Sequence, residues 1–474
     1  MATELGPGLT RAHGAESIGA LRGPRPQIPA PVEDLLATLR RGGQAAYVVG
    51  GCLRDALLGR EPADWDLTTD ARPERVQALF PRSIYENRFG TVVVRHDEAQ
   101  YEITAFRRDA SYSDFRHPDS VEFGDSIEQD LARRDFTVNA MAWGGRPGEE
   151  AAFVDPHGGR DDLARRLLRA VGDPDERFGE DALRMARAVR LAASLEFEIE
   201  PATLAAIGRN AELARSLSGE RICAELLKLL AARRPSVGLT LMADSGLLAV
   251  IAPDLARQRG LSQNKIGGED LWDHTLRTVD ATPDRQVVRL AALLHDVGKP
   301  DTLADGHFHG HEAVGARMAR DFLAGLHATR VLQERVAHLV FHHMFAYESN
   351  WSDAAVRRFI RKVGPSAVHD LLALRAADNV GSGLPADSGN LPELALRIDA
   401  QLAASVVLGR GQLAVDGDDL MAELGLPQGR LLGRLLDDLT ERVVAEPELN
   451  DRAILLDLAR QQMSDRRLSE NPNS

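Results

Sequence analysis

The fold of this chain is decided by the stretch Gly50-Gly51-Cys52-Leu53-Arg54-Asp55, which follows the apolar run 45–49. The run predicts a short buried strand, and the glycine pair predicts a tight turn into a helix that starts near Leu53. Two successive glycines let backbone N–H groups approach a phosphate closely, and an arginine adds charge-assisted hydrogen bonds. We therefore predict that Gly50, Gly51 and Arg54 bind a triphosphate.

Acidic residues follow in the next extended segment, where Asp64 and Asp66 are separated by one residue. On a strand both carboxylates point to the same face, with Cα atoms roughly 7 Å apart, close enough to share metal ions. Glu102 is polar inside the β-rich apolar run 101–106; alternation allows an outward, solvated position, but beside two aspartates it is a candidate third metal-site carboxylate. Phosphoryl transfer needs both a phosphate site and carboxylates that hold Mg²⁺, so Asp64, Asp66 and Glu102 are the candidate catalytic residues.

Each of these motifs has a simpler interpretation when it stands alone. A Gly-Gly pair is usually a turn, and an Asp-x-Asp is usually a solvated loop or a helix cap. Their order along the chain, with a strand before them and Arg-Asp inside the first helix, favours the functional interpretation.

Further candidate nucleotide ligands come after the predicted strands. Arg133, in the segment 130–142, could bind triphosphate oxygens bidentately, and Asn139 could bond a sugar hydroxyl. The loop 107–118 interleaves basic and aromatic residues, so it could order around a nucleotide. The alternative for this loop is an exposed connector.

Continuous helical periodicity begins near residue 160, and the segment 180–190 carries arginines at three- and four-residue steps. The spacing predicts that Asp181, Arg184 and Arg187 lie on one face of one helix, and they are candidate nucleotide-binding residues. Taken alone, such a pattern is more often a solvated, salt-bridged face. The helix after Ser218 ends in a basic stretch that could contact an RNA backbone.

A different set of polar residues marks the helical second half of the chain. His274, the pair His295-Asp296, and Asp378 lie at or near apolar helical segments. Imidazoles and carboxylates concentrated in this way predict a divalent-metal site, and this donor set suits Mn²⁺, Ni²⁺, Co²⁺ or Fe²⁺ better than Mg²⁺ alone. Other histidines occur in the same stretch without an assigned role: His307, His309, His311, His342 and His343.

Length and composition limit the classes of protein to which the chain can belong. Its 474 residues exceed what one hydrophobic core serves, so two to four domains are expected. The net charge of −14 argues against a general polyanion binder but leaves room for local basic RNA contacts. Two cysteines form neither a zinc cluster nor a disulfide framework, which suits the reducing cytoplasm. No apolar run reaches membrane-spanning length, so no membrane partner is expected.

The residues quoted above resemble the class II tRNA nucleotidyltransferase and poly(A) polymerase family over most of residues 32–265. The stretch from His274 to Asp378 is similar to a metal-dependent HD phosphohydrolase domain. The motifs that carry the first resemblance appear in the family's order: Gly-Gly-x-x-Arg54-Asp55, the pair Asp64 and Asp66, the run Arg133 to Ala140, Glu180-Asp181-x-x-Arg184, and Ser218-x-x-Arg221-Ile222.

The resemblance implies an α+β fold, with a polymerase-β-like nucleotidyltransferase head built on a mixed β-sheet and an all-helical remainder. On this basis we divide the chain into a disordered leader (1–30), the head (31–150), a helical neck and body for base selection and RNA binding (151–265), an HD domain (266–385) and a helical tail (386–474). The family's roles make Asp64 and Asp66 ligands of Mg²⁺, and Asp181 and Arg184 the pair that reads the base.

The implied activity is addition of C, C and A to the tRNA 3′ end from CTP and ATP, without a nucleic-acid template and with release of pyrophosphate. Within the family, a poly(A) polymerase is the alternative; such enzymes often end in a strongly basic tail, whereas residues 447–474 mix both charges. A partial enzyme that adds only CC or only A is a second alternative within the family. The intact loop 107–118 argues against an enzyme that adds CC alone. A different class, an HD phosphohydrolase or RNA-binding regulator, would predict loss of the head's carboxylates, which are all present.

Overall fold

The computed structural model describes residues 26–85, 90–109, 121–124, 126–263, 270–404 and 407–470. Most of the predicted leader and the larger part of the predicted nucleotide loop, residues 110–118, lie outside the described residues. The chain divides into two compact units between Pro253 and Asp254. The predicted division into five segments is finer and stays a prediction.

The first unit combines strands with helices. Its strands are β1 (Ala46–Val49), β2 (Asp66–Thr69), β3 (Ser83–Tyr85), β4 (Thr91–His96), β5 (Ala99–Ala105), β6 (Arg107–Asp109), β7 (Val121–Phe123), β8 (Ala142–Gly145), β9 (Ala152–Val154), β10 (Leu167–Leu168) and β11 (Glu198–Ile199). Its helices are α1 (Ala30–Arg41), α2 (Gly51–Leu57), α3 (Pro73–Leu79), α4 (Ile127–Ala132), α5 (Gly159–Arg165), α6 (Pro174–Glu180), α7 (Leu183–Leu195), α8 (Pro201–Asn210), α9 (Gly219–Leu230), α10 (Pro235–Asp244) and α11 (Leu247–Ile251). Short 3₁₀ turns lie at Thr137–Asn139 and Ala211–Ser216.

Within the described residues, the larger sheet has seven strands in the order β3-β4-β5-β2-β1-β8-β9. Strands β2 and β5 are parallel, and the other neighbouring pairs are antiparallel. The sheet is therefore mixed, which confirms the predicted α+β class. The β-rich runs 91–94 and 101–106 predict the two strands of a hairpin. This hairpin forms, since β4 pairs with β5 from Thr91 opposite Thr104 to His96 opposite Ala99.

Strand β1 is buried along its whole length, as its continuous apolar sequence predicts. Its Tyr47 ring lies 6.0 Å from the ring of Phe106, and both belong to a core that includes Ile127 and Leu131 of α4. Burying a side chain of this size stabilises the fold by about 1.5–3 kcal/mol. The buried strand thus fixes the position of the glycine turn that follows it.

Two local predictions differ from the structure. Helix α2 begins at Gly51 rather than near Leu53, because Gly50 has a φ of +81° and turns the chain directly into the helix. Strand β2 begins at Asp66, so Asp64 precedes the strand. The prediction that both aspartates lie on one strand is therefore wrong.

The second unit is largely helical, and the boundary between the units falls in the short helix α12 (Pro253–Ala256). Its further elements are α13 (Leu271–Ala281), α14 (Gln286–Leu294), α15 (Lys299–Thr302), β12 (Leu303–Ala304), β13 (His307–Phe308), α16 (His311–Gly325), α17 (Arg330–His342), α18 (Asp353–Val363), α19 (Val368–Gly381), α20 (Leu391–Ala403), α21 (Gly417–Leu424), α22 (Arg430–Ala445) and α23 (Arg452–Glu470). Short 3₁₀ turns lie at Arg410–Gln412 and Pro447–Leu449.

Helix pairs organise this unit: α13 packs against α19, and α16 packs against α17. The last helices have a separate apolar cluster, in which Leu420, Leu435, Leu439 and Leu455 are almost fully buried. Among the described residues, none of the helices has both the length and the apolar character that crossing a membrane requires.

Candidate active site and metal centre

A cavity of about 710 Å³ opens in the first unit between the end of β1 and helix α7. The predicted catalytic and nucleotide-binding residues all line it: Gly50, Gly51, Arg54, Asp64, Asp66, Glu102, Arg133, Asn139, Asp181, Arg184 and Arg187. Charged residues without a predicted site role line it as well: Arg107, Arg134, Asp135, Arg190, Glu225 and Lys228. Residues far apart in sequence therefore meet around one space that combines acidic and basic side chains.

The candidate catalytic carboxylates lie at the edge of this cavity. Asp66 opens β2 and is paired in register with Glu102 of the parallel strand β5, so both side chains point to the same side of the sheet. The pKa of Asp66 is raised from 3.8 to about 6 by burial, then by the negative charge of Asp64, against the lowering effect of Arg134. Such carboxylates repel one another unless a cation lies among them, and their oxygens are the donors that Mg²⁺ prefers. The residues fit a divalent ion.

The raised pKa of Asp66 predicts that the metal-free protein loses stability as pH rises. The folded state holds the Asp66 proton more tightly than the unfolded state, so the free energy of unfolding should fall between about pH 4 and pH 6. At 1.36 kcal/mol per pKa unit, the loss should reach about 2–3 kcal/mol at pH 7. Thermal unfolding of wild type and Asp66→Asn in EDTA, at pH 4.5 and pH 7, is the measurement. The stability of the variant relative to wild type should rise from pH 4.5 to pH 7, and identical pH profiles would contradict the prediction.

The glycine turn approaches an arginine of the cavity wall. A Cβ on Gly50 would lie 3.0 Å from Nη1 of Arg134 and 3.8 Å from Oδ2 of Asp66. The φ of +81° is a second reason for glycine, because residues with a Cβ rarely adopt it. The turn therefore leaves its backbone open to the cavity.

Two adjacent arginines of the cavity wall donate hydrogen bonds to the same buried carboxylate. Asp130 is fully buried, and it accepts hydrogen bonds from Arg133 at 2.8 Å and from Arg134 at 3.2 Å. Burial opposes ionisation of Asp130, but the two guanidiniums outweigh it and lower the pKa of the carboxyl. The arginines are thereby positioned at the cavity wall before any ligand binds.

A chain of hydrogen bonds links the turn to helix α7. Arg54 Nη1 donates to Asn139 Oδ1 at 2.6 Å, and Asn139 Nδ2 donates to Asp135 Oδ1 at 3.1 Å. Arg187 Nη1 donates to Asp135 Oδ2 at 2.8 Å. Burial opposes ionisation of Asp135, but Arg187 holds its pKa at about 2. Asp135 therefore connects Arg187 with Asn139 and Arg54, and all of these side chains line the cavity.

The predicted base-reading residues are not on one helix. Asp181 lies between α6 and α7 in an extended conformation, and Arg184 is in the first turn of α7. The prediction that the two share one helical face is wrong, because the chain breaks between the helices and Asp181 accepts a hydrogen bond from the Leu183 N–H at 3.1 Å. Both side chains nevertheless line the same cavity.

Each of these two side chains has its own protein partner. Asp181 accepts a hydrogen bond from Arg221 at 2.7 Å. Arg184 Nη1 donates to Glu180 at 2.6 Å, and Arg184 Nη2 donates to the backbone oxygen of Arg133 at 3.0 Å. Their relative placement is therefore fixed by these contacts rather than by helical spacing.

The second unit contains the predicted metal centre as a buried cluster. His274 Nε2 lies 3.0 Å from His295 Nε2, 3.3 Å from Asp378 Oδ1 and 3.4 Å from Asp296 Oδ2. The four predicted residues are at most 8% exposed. Helices α13 and α19 supply His274 and Asp378, and the end of α14 supplies His295 and Asp296.

The structure adds two histidines and a lysine that sequence analysis did not assign. His311 Nε2 and His343 Nε2 lie 3.3 Å and 3.7 Å from Asp296 Oδ1. Lys299 Nζ lies 2.6 Å from Asp296 Oδ2. Gly298 permits the approach of α16, because a Cβ there would lie 2.5 Å from the backbone oxygen of His311.

The donor atoms form two groups that could each hold a metal ion: His274, His295 and Asp378, and Asp296, His311 and His343. Within each group the candidate ligand atoms lie within 4.8 Å of one another. His295, His311 and His343 each place Nδ1 2.7 Å from a backbone carbonyl oxygen. A carbonyl only accepts, so Nδ1 carries the proton and Nε2 keeps a lone pair, as metal-ligating histidines require.

Models of three known protein families match successive parts of the chain. Residues 46–169 match the poly A polymerase head domain, and residues 196–259 match the probable RNA and SrmB-binding site of polymerase A. Residues 249–381 match the HD domain.

Two curated relatives align with almost the whole chain. The CCA-adding enzyme of Geobacillus stearothermophilus is 34% identical over 86% of this chain and 91% of its own length. The CCA-adding enzyme of Limosilactobacillus fermentum is 34% identical over 90% of this chain and 96% of its own. The chain belongs to the CCA-adding enzyme family. A crystal structure of the Bacillus stearothermophilus CCA-adding enzyme in complex with CTP covers 92% of this chain and 100% of that chain, with 30% identity and a TM-score of 0.71.

Membership of the CCA-adding enzyme family confirms the resemblance stated for the sequence, including its HD domain. The chain is a nucleotidyltransferase, and the family implies dependence on a divalent metal. The roles of individual residues stay predictions.

Two further acidic residues of the cavity were given no role from the sequence. Asp135 and Glu225 are single acidic residues in helical or turn segments, and only the fold shows that both bind arginines of α7. A usable signal did exist for His311, because it follows Gly310 at the start of a helix within the histidine-rich stretch.

Proposed function

We propose that the chain completes the 3′ ends of tRNA by adding C, C and A from CTP and ATP, without a nucleic-acid template and with release of pyrophosphate. The observation that carries this proposal is the single cavity in which three carboxylates, several arginines and the pair Asp181 and Arg184 meet. The alignment of the CCA-adding relatives over almost the whole chain favours this substrate over a poly(A) product. The proposed place of action is the cytoplasm.

The proposed metal is Mg²⁺, held by Asp64 and Asp66 with Glu102 beside them. Bound there, Mg²⁺ would activate the 3′-hydroxyl and neutralise charge on the α-phosphate and the leaving pyrophosphate. The carboxylates hold the ions, and their mutual repulsion in the metal-free state favours ion binding. No covalent intermediate on the protein is needed for this reaction.

The triphosphate is proposed to lie between the glycine turn and the adjacent arginines. Arg133 and Arg134 are already oriented by Asp130, so little side-chain entropy is lost when they bind phosphate oxygens. The backbone of Gly50 can approach the phosphates because no Cβ intervenes. Asn139 is proposed to bond the sugar, and its amide also links Arg54 to Asp135.

Asp181 and Arg184 are proposed to select the base in place of a template. Cytosine and adenine both present an exocyclic amino donor beside an unprotonated ring nitrogen, whereas uracil and guanine present a carbonyl acceptor beside a ring N–H. Asp181 would accept from the amino group, and Arg184 would donate to the ring nitrogen. The three hydrogen bonds from Arg184 to Arg177, Glu180 and Arg133 use three of its five N–H donors, which leaves capacity for a base.

We expect Asp181→Ala and Arg184→Lys to reduce discrimination against UTP and GTP about 10- to 100-fold, since a bidentate contact is worth roughly 1–3 kcal/mol of base discrimination. Incorporation of each of the four nucleotides, measured separately, is the readout. Asp175→Ala is the matched control, because Asp175 also pairs with an arginine but does not line the cavity. Unchanged discrimination in both site variants would remove this pair from base selection.

The activity itself is tested with purified protein and tRNA that ends before CCA. CTP and ATP are supplied separately and together, and the products are sequenced. Completion to CCA is expected when both are present. A run of A would indicate the poly(A) polymerase, and products ending after CC or gaining only A would indicate a partial enzyme.

A second activity is favoured by the two groups of candidate ligands in the second unit. We propose that this unit is a metal-dependent phosphohydrolase that uses Mn²⁺, Ni²⁺, Co²⁺ or Fe²⁺, because imidazole and carboxylate donors suit these ions. Burial lowers the pKa of His295, which keeps the imidazole neutral for ligation. The proposed reaction adds one water to a phosphoester, such as a 2′,3′-cyclic phosphate or a phosphate at an RNA end.

A further inference from the structure

Next to the histidine cluster of the second unit lies another cavity, of about 510 Å³. Its wall is formed by the end of α17, the segment that follows it and helix α18. The volume is within the roughly 300–1,000 Å³ typical of small-molecule sites. We call it the aromatic cavity, because the rings of four side chains line it: Phe341, Phe345, Trp351 and Phe359.

The aromatic cavity adjoins the candidate metal ligands. Its lining includes Glu312 and His342, the direct chain neighbours of His311 and His343. Consecutive Cα atoms are about 3.8 Å apart, so a ligand in this cavity lies within a few ångströms of the backbone that carries two metal-ligating histidines. Glu312 connects the two places directly, because its Oε2 lies 3.7 Å from Nδ1 of His311.

The aromatic rings form a partly open face. The Phe359 ring lies 5.0 Å from that of Phe345 and 5.8 Å from that of Trp351. Phe341 is 47% exposed, and Met344 is 57% exposed. Grouped exposed apolar side chains of this kind commonly mark a binding surface.

Positive charge borders the same face. Arg358 and Lys362 of α18 line the aromatic cavity. Arg358 forms an exposed ion pair with Glu441 at 3.2 Å. Lys362 is exposed and has no carboxylate of the described residues within ion-pair distance. The ammonium of Lys362 is thus available for an anionic ligand.

We propose that the aromatic cavity binds the base of an unpaired nucleotide at an RNA end, whose phosphate reaches the histidine cluster. Aromatic faces stack on any base, and cations beside them contact the backbone phosphates, which is the chemistry of single-stranded RNA binding. An apolar peptide would use the rings but not Lys362 or the neighbouring metal ligands. The proposal rests on the phosphohydrolase proposed above and adds a binding site for the terminal base of its substrate.

Cross-linking to the full chain tests the cavity directly and does not depend on hydrolysis. A single-stranded RNA tetramer with a terminal 4-thiouridine and a 3′-phosphate is irradiated with the protein in EDTA, and the linked peptide is mapped. The expected cross-link lies within residues 341–359. Phe341→Ala should weaken it about tenfold through loss of base stacking, and Phe341→Tyr should retain it. Val331→Ala is the matched control, because Val331 is an exposed apolar residue of the same helix outside the cavity.

The outcomes separate this proposal from the hydrolase proposal. If the metal-loaded protein hydrolyses no phosphate but the cross-link at 341–359 remains, the hydrolase proposal fails and the RNA-end site stands. If it hydrolyses the tetramer and an abasic tetramer with equal KM, and no cross-link maps to 341–359, the RNA-end site is overturned. Displacement of the cross-link by free UMP as readily as by unlabelled tetramer would also overturn it, because a mononucleotide would then be the ligand.

Discussion

Asp66→Asn is expected to abolish nucleotide addition, with a loss of about 10³-fold or more. Loss of a single electrostatic contact to the reacting groups typically costs roughly 10²–10³ in rate, and this change also removes a metal ligand. Asp66 is the most informative position, because it lies opposite Glu102 in the sheet and its carboxyl interacts electrostatically with both Asp64 and Glu102. Incorporation of labelled CTP and ATP into tRNA lacking CCA, at saturating Mg²⁺, is the measurement.

The loss should come without damage to the fold. Asparagine has almost the same shape as aspartate, and removal of one repelling charge should leave the metal-free protein at least as stable as wild type near pH 7. Asp97→Asn is the matched control, since Asp97 lies in the exposed turn of the β4–β5 hairpin with a φ of 46°, which asparagine tolerates. Near-normal incorporation by Asp66→Asn, with Asp97→Asn also normal, would show that Asp66 does not hold the catalytic metal.

Asp296→Asn is expected to remove most of the transition metal from the second unit and to abolish its phosphohydrolase activity. Asp296 is the carboxylate that lies between both groups of histidines, 3.1 Å from His295 Nε2 and 3.3 Å from His311 Nε2. Loss of a residue that only hydrogen-bonds to a metal ligand typically lowers metal affinity about 10- to 100-fold. Loss of a direct ligand should lower the affinity at least as much. Metal content of the purified full chain and hydrolysis of RNA 3′-phosphate are the two measurements.

Controls for Asp296 are available within the same unit. Asp301→Asn alters an exposed carboxylate that pairs with Arg257 and should retain both metal and activity. His274→Gln and His343→Gln each change one of the two ligand groups, so each should remove part of the bound metal. Nucleotide addition should persist in all four variants. Full metal content and full hydrolysis in Asp296→Asn would refute the proposed centre.

The sequence predicted the elements whose signals are local. The apolar run before Gly50 and the glycine pair after it specify a buried strand and a turn, and both form where predicted. The hairpin that contains Glu102 forms for the same reason, because alternation and turn position are encoded in neighbouring residues. The confirmed family resemblance supplied the order of the domains and the activity class.

The remaining features depend on tertiary contacts. Arginine spacing alone placed Asp181 and Arg184 on one helix, whereas the chain ends one helix before Asp181 and begins the next at Leu183. An aspartate that accepts the N–H two residues later is a helix-start signal, and reading it in this way would have located the break. His343 gave no such signal, since only the packing of α16 against α17 brings it to His311.

The parallel pairing of β2 with β5 also constrains the order of events during folding. Asp66 and Glu102 are 36 residues apart in the sequence. They come to lie opposite each other only after the segment between them has formed a closed loop. Closing a loop of this length costs roughly 3 kcal/mol of chain entropy, which is spent before the non-local contacts form. The carboxylates are therefore apart, solvated and weakly repelling until the sheet is complete. An ion that binds among them stabilises the finished sheet, and its main kinetic effect is on the rate of unfolding.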